Sequence, residues 1–440
     1  MKYIKILVVT ICVLLSACKQ AEPLLIEADE LHHSIDHVIK VMIHDIFSPP
    51  VASRIFAYPN IAAYEIVALN NSKYTSLVGQ LKGLTPIPAS ETPVNYQLAA
   101  LISHIELSKQ LVFSEEKIEI YRDSLYTSWK KKNRNEFLNA ETYGLQVADH
   151  ISQWMDGDNY KQTRTMSKFH VISEDEGRWQ PTPPSYMDGL EPHWNKIRPF
   201  VIDSAAQFKP TPPPAFSMEE GSDFYKELQE VYDISNRITA EGDASEEVQV
   251  AQFWDCNPYV SVTRGHLMFA TKKITPGAHW IGITKIACKK SESNFDDSVF
   301  TYAKTSLAIA DAFISCWDEK YRSNLVRPET LINTYFNDNW KPILQTPPFP
   351  EYSSGHSVVS GAASIALNSI FGNEFSFDDT SELAYGLPMR HFESFDAAAD
   401  EAAISRMYGG IHYRSAVEIG IQQGRSLGDY VVANLNMKSK

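Results

Sequence analysis

Apolar positions recur along most of this chain at intervals of three and four. The clearest run is SVFTYAKTSLAIADAFISCWDEKYRSNL, where Val299, Ala303, Leu307, Ala310, Ile314, Trp317 and Tyr321 fall on one helical stripe. The same spacing marks ELHHSIDHVIKVMIHDIF, ASRIFAYPNIAAYEIVAL, NYQLAALISHIELSKQLV, EEVQVAQFW and the tail AVEIGIQQGRSLGDYVVANL. SVVSGAASIALNSIFG is small and apolar on every face, the pattern of a buried helix. Alternation with period two is rare and short. The pattern predicts an all-α protein with no central sheet.

Prolines interrupt this periodicity once on a large scale, in QPTPPSYMDGLEPHWNKIRPF and KPTPPPAF between Trp179 and Phe216. Helices cannot continue through such a stretch. It carries Tyr186, Trp194 and Phe200, so it is expected to pack as an ordered crossover. It divides an N-terminal helical half, residues 18–215, from a C-terminal half, residues 216–440. Periodicity on both sides predicts two intermingled helical bundles that share one core.

Composition adds limits. Apolar content of 44% and charged content of 21% are ordinary for a globular protein of 440 residues. A net charge of −14 argues against a nucleic-acid-binding surface. Any anion site must therefore be a local cationic pocket in an acidic body. At the N-terminus, Lys2 and Lys5 precede an apolar stretch, Ile6 to Leu15, too short to span a membrane. Residues 1–17 read as a signal peptide. Leu15-Ser16-Ala17-Cys18 resembles the bacterial lipobox, which implies cleavage before Cys18, a lipid anchor on its thiol, and a periplasmic or outer-membrane lipoprotein. Ordinary cleavage and secretion is the competing expectation. Cys256, Cys288 and Cys316 then remain, an odd set that allows at most one bridge and holds no CxxC pair for a thiolate metal site.

EYSSGHSVVSG poses the chemical question. Ser353 or Ser354 can serve as a helix N-cap, with Gly355 and His356 in the first turn. A helix start also suits an anion, since its first N–H groups are unpaired. Two further segments weigh on the choice. In KYRSNLVRP, Lys320 and Arg327 lie seven apart, and Pro328 forces Arg327 out of helical geometry, just past a helix end. In SRMYGGIHY, Arg406 precedes His412 by six, with Gly409-Gly410 breaking the helix between them. Alone, each piece reads more readily as a solvated face or a packed histidine than as a site. Together they assemble three permanent cations, directed donors from Ser354 and Gly355, and two histidines, a receptor for an oxyanion with acid/base chemistry beside it.

KxxxxxxRP, SGH and SRxxxxxH in this order resemble the motifs shared by vanadium-dependent haloperoxidases and type-2 phosphatidic acid phosphatases. HDIFSPPVASRIFAYPNIAAYE and NPYVSVTRGHLMFATKKITPGAHW extend the likeness, to bacterial haloperoxidases and their iodide-oxidising members above all. One position departs: Ser353 stands where Pro is expected before Ser-Gly-His. The resemblance implies vanadate as cofactor, hydrogen peroxide and halide as substrates, and hypohalous acid as product. It implies His412 as the axial vanadium ligand. Lys320, Arg327, Ser354, Gly355 and Arg406 would bind the equatorial oxygens, with Lys320 also polarising bound peroxide and His356 as acid/base. The phosphatase alternative is a periplasmic acid phosphatase forming a phosphohistidine. Such enzymes commonly carry Asp four residues after the second His, where this chain has Ala416. A passive oxyanion-binding lipoprotein is a third reading, with no need for two histidines.

Trp317 lies one turn before Lys320 and Phe349 seven residues before His356. Vanadium chloroperoxidases resemble the chain at both places. An apolar wall suits a weakly hydrated halide, although plain core packing accounts for both residues equally. Tyr259 and Asp318 are candidates for supporting contacts. His33 and His37, four apart, have the spacing of two zinc ligands, but no third ligand is evident and an amphipathic helix explains them. His266 and His279 read as structural.

Overall fold

The computed structural model describes residues 22–264, 267–270 and 273–439. The leader, Cys18 and His266 lie outside the described residues.

Thirteen α-helices occur among the described residues: α1 (Ala28–Asp45), α2 (Pro49–Asn70), α3 (Tyr96–Leu111), α4 (Glu115–Lys132), α5 (Arg134–Asp156), α6 (Asp223–Glu241), α7 (Glu246–Phe253), α8 (Pro276–Lys290), α9 (Phe295–Ser323), α10 (Pro328–Tyr335), α11 (Gly355–Phe371), α12 (Phe395–Tyr408) and α13 (Arg414–Asn434). Strand structure among them is confined to two antiparallel ribbons, Ser261–Arg264 with Leu267–Ala270 and Phe377–Asp379 with Arg390–Phe392. The all-α expectation holds.

α9 shows why these segments become helices. Asn294 caps it by accepting the Asp297 N–H, and Asp296 and Asp297 occupy the first turn. Lys320 and Arg322 lie in the last turn, so charges of both signs complement the helix dipole. Asn324 ends it in left-handed geometry at φ 48°. α9 is buried on nearly every side, packed against α2 in the first half and α11 in the second. One continuous apolar core, from Leu24 to Met437, joins the two halves. The apolar stripe read along α9 is thus only part of its buried surface.

The proline-rich crossover packs down as expected through Trp194 and Phe200, both fully buried, whereas Tyr186 is 64% exposed. Trp179 is fully buried as well. Asp311 of α9 fastens the crossover: its carboxylate accepts the N–H groups of Phe200, Val201 and Ile202 at 2.7–3.0 Å. Asp311→Ala would orphan three buried donors, at about 1–3 kcal/mol each. The expected result is a loss of about 3 kcal/mol or more, read from the urea midpoint by circular dichroism. An unchanged midpoint would rule Asp311 out as the tie.

α11 and α13 pack tightly against each other. Gly361 and Gly424 let the two backbones touch: a Cβ on Gly424 would lie 2.1 Å from the Val358 carbonyl oxygen, and one on Gly361 2.7 Å from that of Ile421. This contact brings the starts of both helices together.

Candidate active site

Three breaks between helices meet at that point. Lys320 lies in the last turn of α9, and Arg327 is the residue before α10, extended at φ −80°, ψ 149°, as Pro328 requires. Ser354 is the N-cap of α11; its Oγ accepts the Ser357 N–H, and its own N–H donates to the Ala416 carbonyl at 3.1 Å. Arg406 lies in the last turn of α12. Gly410, at φ +76°, turns the chain, and His412 precedes α13 by two residues. Lys320, Arg327, Ser354, Arg406 and His412 are all buried. Gly355, His356, Arg406 and His412 line one cavity with Trp317, Phe349 and Tyr259. Lys320, Arg327 and Ser354 are not among the lining residues but adjoin them, Arg327 at His412 and Lys320 at Phe349.

Several buried donors around the cavity are only partly paired. Lys320 Nζ donates to the carbonyls of Pro350 and Glu351 at 3.1 and 2.9 Å. Arg327 donates to the Phe349 and Ile411 carbonyls, each at 2.9 Å. Arg406 Nη1 donates to Trp254 O at 2.7 Å. Arg327 Nη2, Arg406 Nε and His356 Nε2 have no protein partner. Buried polar groups are almost always paired, and buried cations need counter-charge. Burial pushes Lys320 down to about 7 and Arg327 to about 10, and lowers Arg406. A bound oxyanion would satisfy the orphaned donors and reverse those shifts. The residues present therefore fit vanadate.

His412 is held between a carboxyl and a guanidinium. Its Nδ1 lies 2.6 Å from Glu351 Oε1, which also accepts the Tyr413 N–H at 3.0 Å. Arg327 Nη1 donates to Nε2 at 3.2 Å. The proton thus belongs on Nδ1, and Nε2 presents its lone pair. Burial, with Arg327 and Lys320 nearby, holds the imidazole well below its usual range, hence neutral. Burial pushes the Glu351 carboxyl up to about 8 against the pull of Arg327 and Lys320. Because Oε1 accepts from two N–H groups, a proton on this carboxyl belongs on Oε2, which has no partner.

No motif in the sequence points to Glu351 as a site residue, although it stands five residues before His356. Its presence corrects one argument. Ala416 does not leave His412 without a carboxylate; the acid comes from another segment. The missing Asp therefore does not separate peroxidase from phosphatase.

His356 is held well below its usual range by burial first and Arg406 next, and its ring bonds the Trp254 carbonyl. A neutral imidazole with Nε2 open to the cavity can take a proton. Trp317 and Phe349 contact each other at 5.0 Å between ring centroids, and Lys320 Nζ lies 5.0 Å from the Phe349 centroid. They form an apolar wall against the cations. Tyr259 lines the cavity, whereas Asp318 is turned away, bound to Asn195 and Arg322. His33 is exposed, and His37 stacks on Tyr121. His279 is fully buried against Asp379.

Comparison with known proteins agrees with this geometry. Residues 300–439 match the family model of the VCPO second helical-bundle domain. No curated protein matches. Crystal structures of holo- and apo-type bacterial vanadium-dependent chloroperoxidase share the fold, with TM-scores of 0.67 and 0.66 and identities of 18% and 15%. They cover 89% and 88% of this chain, and 93% and 95% of their own. The crystal structure of the first bacterial vanadium-dependent iodoperoxidase is 65% identical, with a TM-score of 0.92, over 96% of this chain and all of that one. At that identity and coverage, with a cavity whose orphaned donors call for an oxyanion, the chain belongs to the vanadium-dependent haloperoxidases.

Proposed function

We propose that this protein oxidises halide, iodide foremost, with hydrogen peroxide to hypohalous acid, using vanadate held at the three helix breaks. The observation that carries the reading is the set of unpartnered polar atoms, Arg327 Nη2 and Arg406 Nε as donors and His356 Nε2 as an acceptor, around a neutral His412. Iodide follows from likeness to the 65% identical iodoperoxidase. Trp317 and Phe349 are compatible with other halides too.

Bound vanadate would supply a Lewis acid on which hydrogen peroxide becomes open to halide attack. The chain does the rest. His412 Nε2 would ligate the metal, kept in the right tautomer by Glu351. Lys320, Arg327 and Arg406 would hold the oxygens by charge, with Ser354 Oγ and the first N–H groups of α11 adding directed bonds. His356 Nε2 would take a proton from peroxide. Trp317 and Phe349 would keep water from the cations, where each electrostatic contact is then stronger.

Vanadate-loaded protein should oxidise iodide faster than bromide or chloride, and vanadate should inhibit any phosphate-ester hydrolysis by the same preparation. Ester hydrolysis with no halide oxidation would overturn the reading in favour of the phosphatase. The proposal includes cleavage before Cys18, lipidation there and a periplasmic or outer-membrane location. The mass of the mature N-terminal peptide tests the cleavage and the lipid, and fractionation of the cell envelope tests the location.

A further inference from the structure

Cys256 lines the same cavity as Gly355, His356, Arg406 and His412. It is not an isolated thiol. Its Sγ lies 3.4 Å from His279 Nδ1, and His279 Nε2 lies 2.7 Å from Asp379 Oδ2. Glu382 Oε1 is 3.4 Å from the same Nδ1. His279 is fully buried and stacked on Trp254 at 4.4 Å, the residue whose carbonyl holds Arg406. Sulfur, imidazole and carboxylate therefore run from the cavity wall into the core, with the sulfur at the cavity end. On the cavity side stand Arg406 Nε and His356 Nε2, both without protein partners. Cys288 and Cys316 are also free and buried, and neither is among the residues lining this cavity.

We propose that Cys256 is an oxidation site for the enzyme's own product, hypohalous acid released into the cavity. The inference rests on the haloperoxidase reading above. Sγ attacks the halogen; the sulfur–halogen bond forms as the halogen–oxygen bond breaks. The departing hydroxide takes the thiol proton and leaves as water. A second water then attacks sulfur, and halide departs with the bonding electron pair while one proton is released. Sulfur has lost two electrons to the halogen and stands as a sulfenic acid. His279 Nδ1 holds Sγ at the wall. With no second thiol in the lining, the sulfenic acid finds no disulfide partner there. The added oxygen crowds the space beside Arg406 and His356. Activity should then fall as turnovers accumulate and return with a small thiol reductant.

The test uses the full vanadate-loaded chain, given peroxide and iodide, trapped with dimedone and digested for mass spectrometry. The expected result is a dimedone adduct at Cys256 that requires iodide, with Cys288 and Cys316 unmodified. Cys256→Ser should lose activity several-fold more slowly over the same number of turnovers. Intact Cys256 after sustained iodide oxidation overturns the proposal. So does equal oxidation by peroxide without iodide, or iodine on Tyr259 with Cys256 untouched. A divalent metal found by elemental analysis on Cys256, His279 and Glu382, whose ligand atoms lie close enough to share one, also overturns it, because Sγ would then be occupied. If the loaded protein oxidises no iodide, the haloperoxidase reading has failed separately. Vanadate-free protein treated with preformed hypoiodous acid then decides the cysteine alone: an adduct at Cys256 supports the site, and none overturns it.

Discussion

His412→Ala should abolish tight vanadate binding, whereas His356→Ala should keep substantial binding and lose a factor of about 100 to 10,000 in turnover. The asymmetry follows from what each imidazole has around it. His412 offers an Nε2 lone pair with its proton fixed on Nδ1 by Glu351, so its removal would delete the proposed metal–nitrogen bond, which no neighbouring hydrogen bond replaces. His356 sits in the first turn of α11, where burial and the nearby Arg406 keep it neutral. Removing it would leave the cationic cradle intact and take away only the proposed proton acceptor. Equilibrium dialysis with vanadate, peroxide-dependent iodide oxidation and circular dichroism should be run on both variants. Full affinity and activity in folded His412→Ala would refute the assignment of the ligand.

Glu351→Gln should weaken vanadate binding by about 10- to 100-fold, the usual effect of changing the partner that orients a ligating histidine. The amide can still fill the space and accept one N–H, so the fold should survive. What it loses is the carboxyl that holds the Nδ1 proton through Oε1 and that, as pH rises through about 8, gains the charge facing Arg327 and Lys320. The diagnostic is coupling: added to His412→Ala, the substitution should cost little further affinity, because its effect travels through the imidazole. If the two losses add in full, Glu351 acts on the oxyanion site by some other route.

Most of the helical architecture is legible along the chain because helix formation and burial leave a periodic trace. The run from Ser298 to Leu325 falls almost wholly within α9, and the tail from Ala416 within α13. The helix breaks are legible for an equally local reason, since Pro328 and Gly410 restrict or release backbone angles whatever surrounds them. Helices such as Glu115–Lys132 are harder to see, because much of that helix faces solvent and carries little apolar pattern. Tyr186 runs against expectation in facing solvent, since an aromatic in a proline-rich stretch gives no sign of which way it points.

The residue types for binding an oxyanion are present in the sequence: the cations, the Ser-Gly-His turn and the two histidines. Their chemistry is intrinsic to the side chains, and their places at helix breaks follow from neighbours in the chain. Only the tertiary structure decided which of them meet, because convergence depends on α11 and α13 touching at Gly361 and Gly424. It alone revealed Glu351 as the partner of His412, 61 residues away in sequence, and the Trp254 carbonyl as the acceptor that Arg406 and His356 share. It also set the protonation of the site. A pKa is a property of burial and of nearby charge, and neither exists until segments distant in sequence are packed against each other.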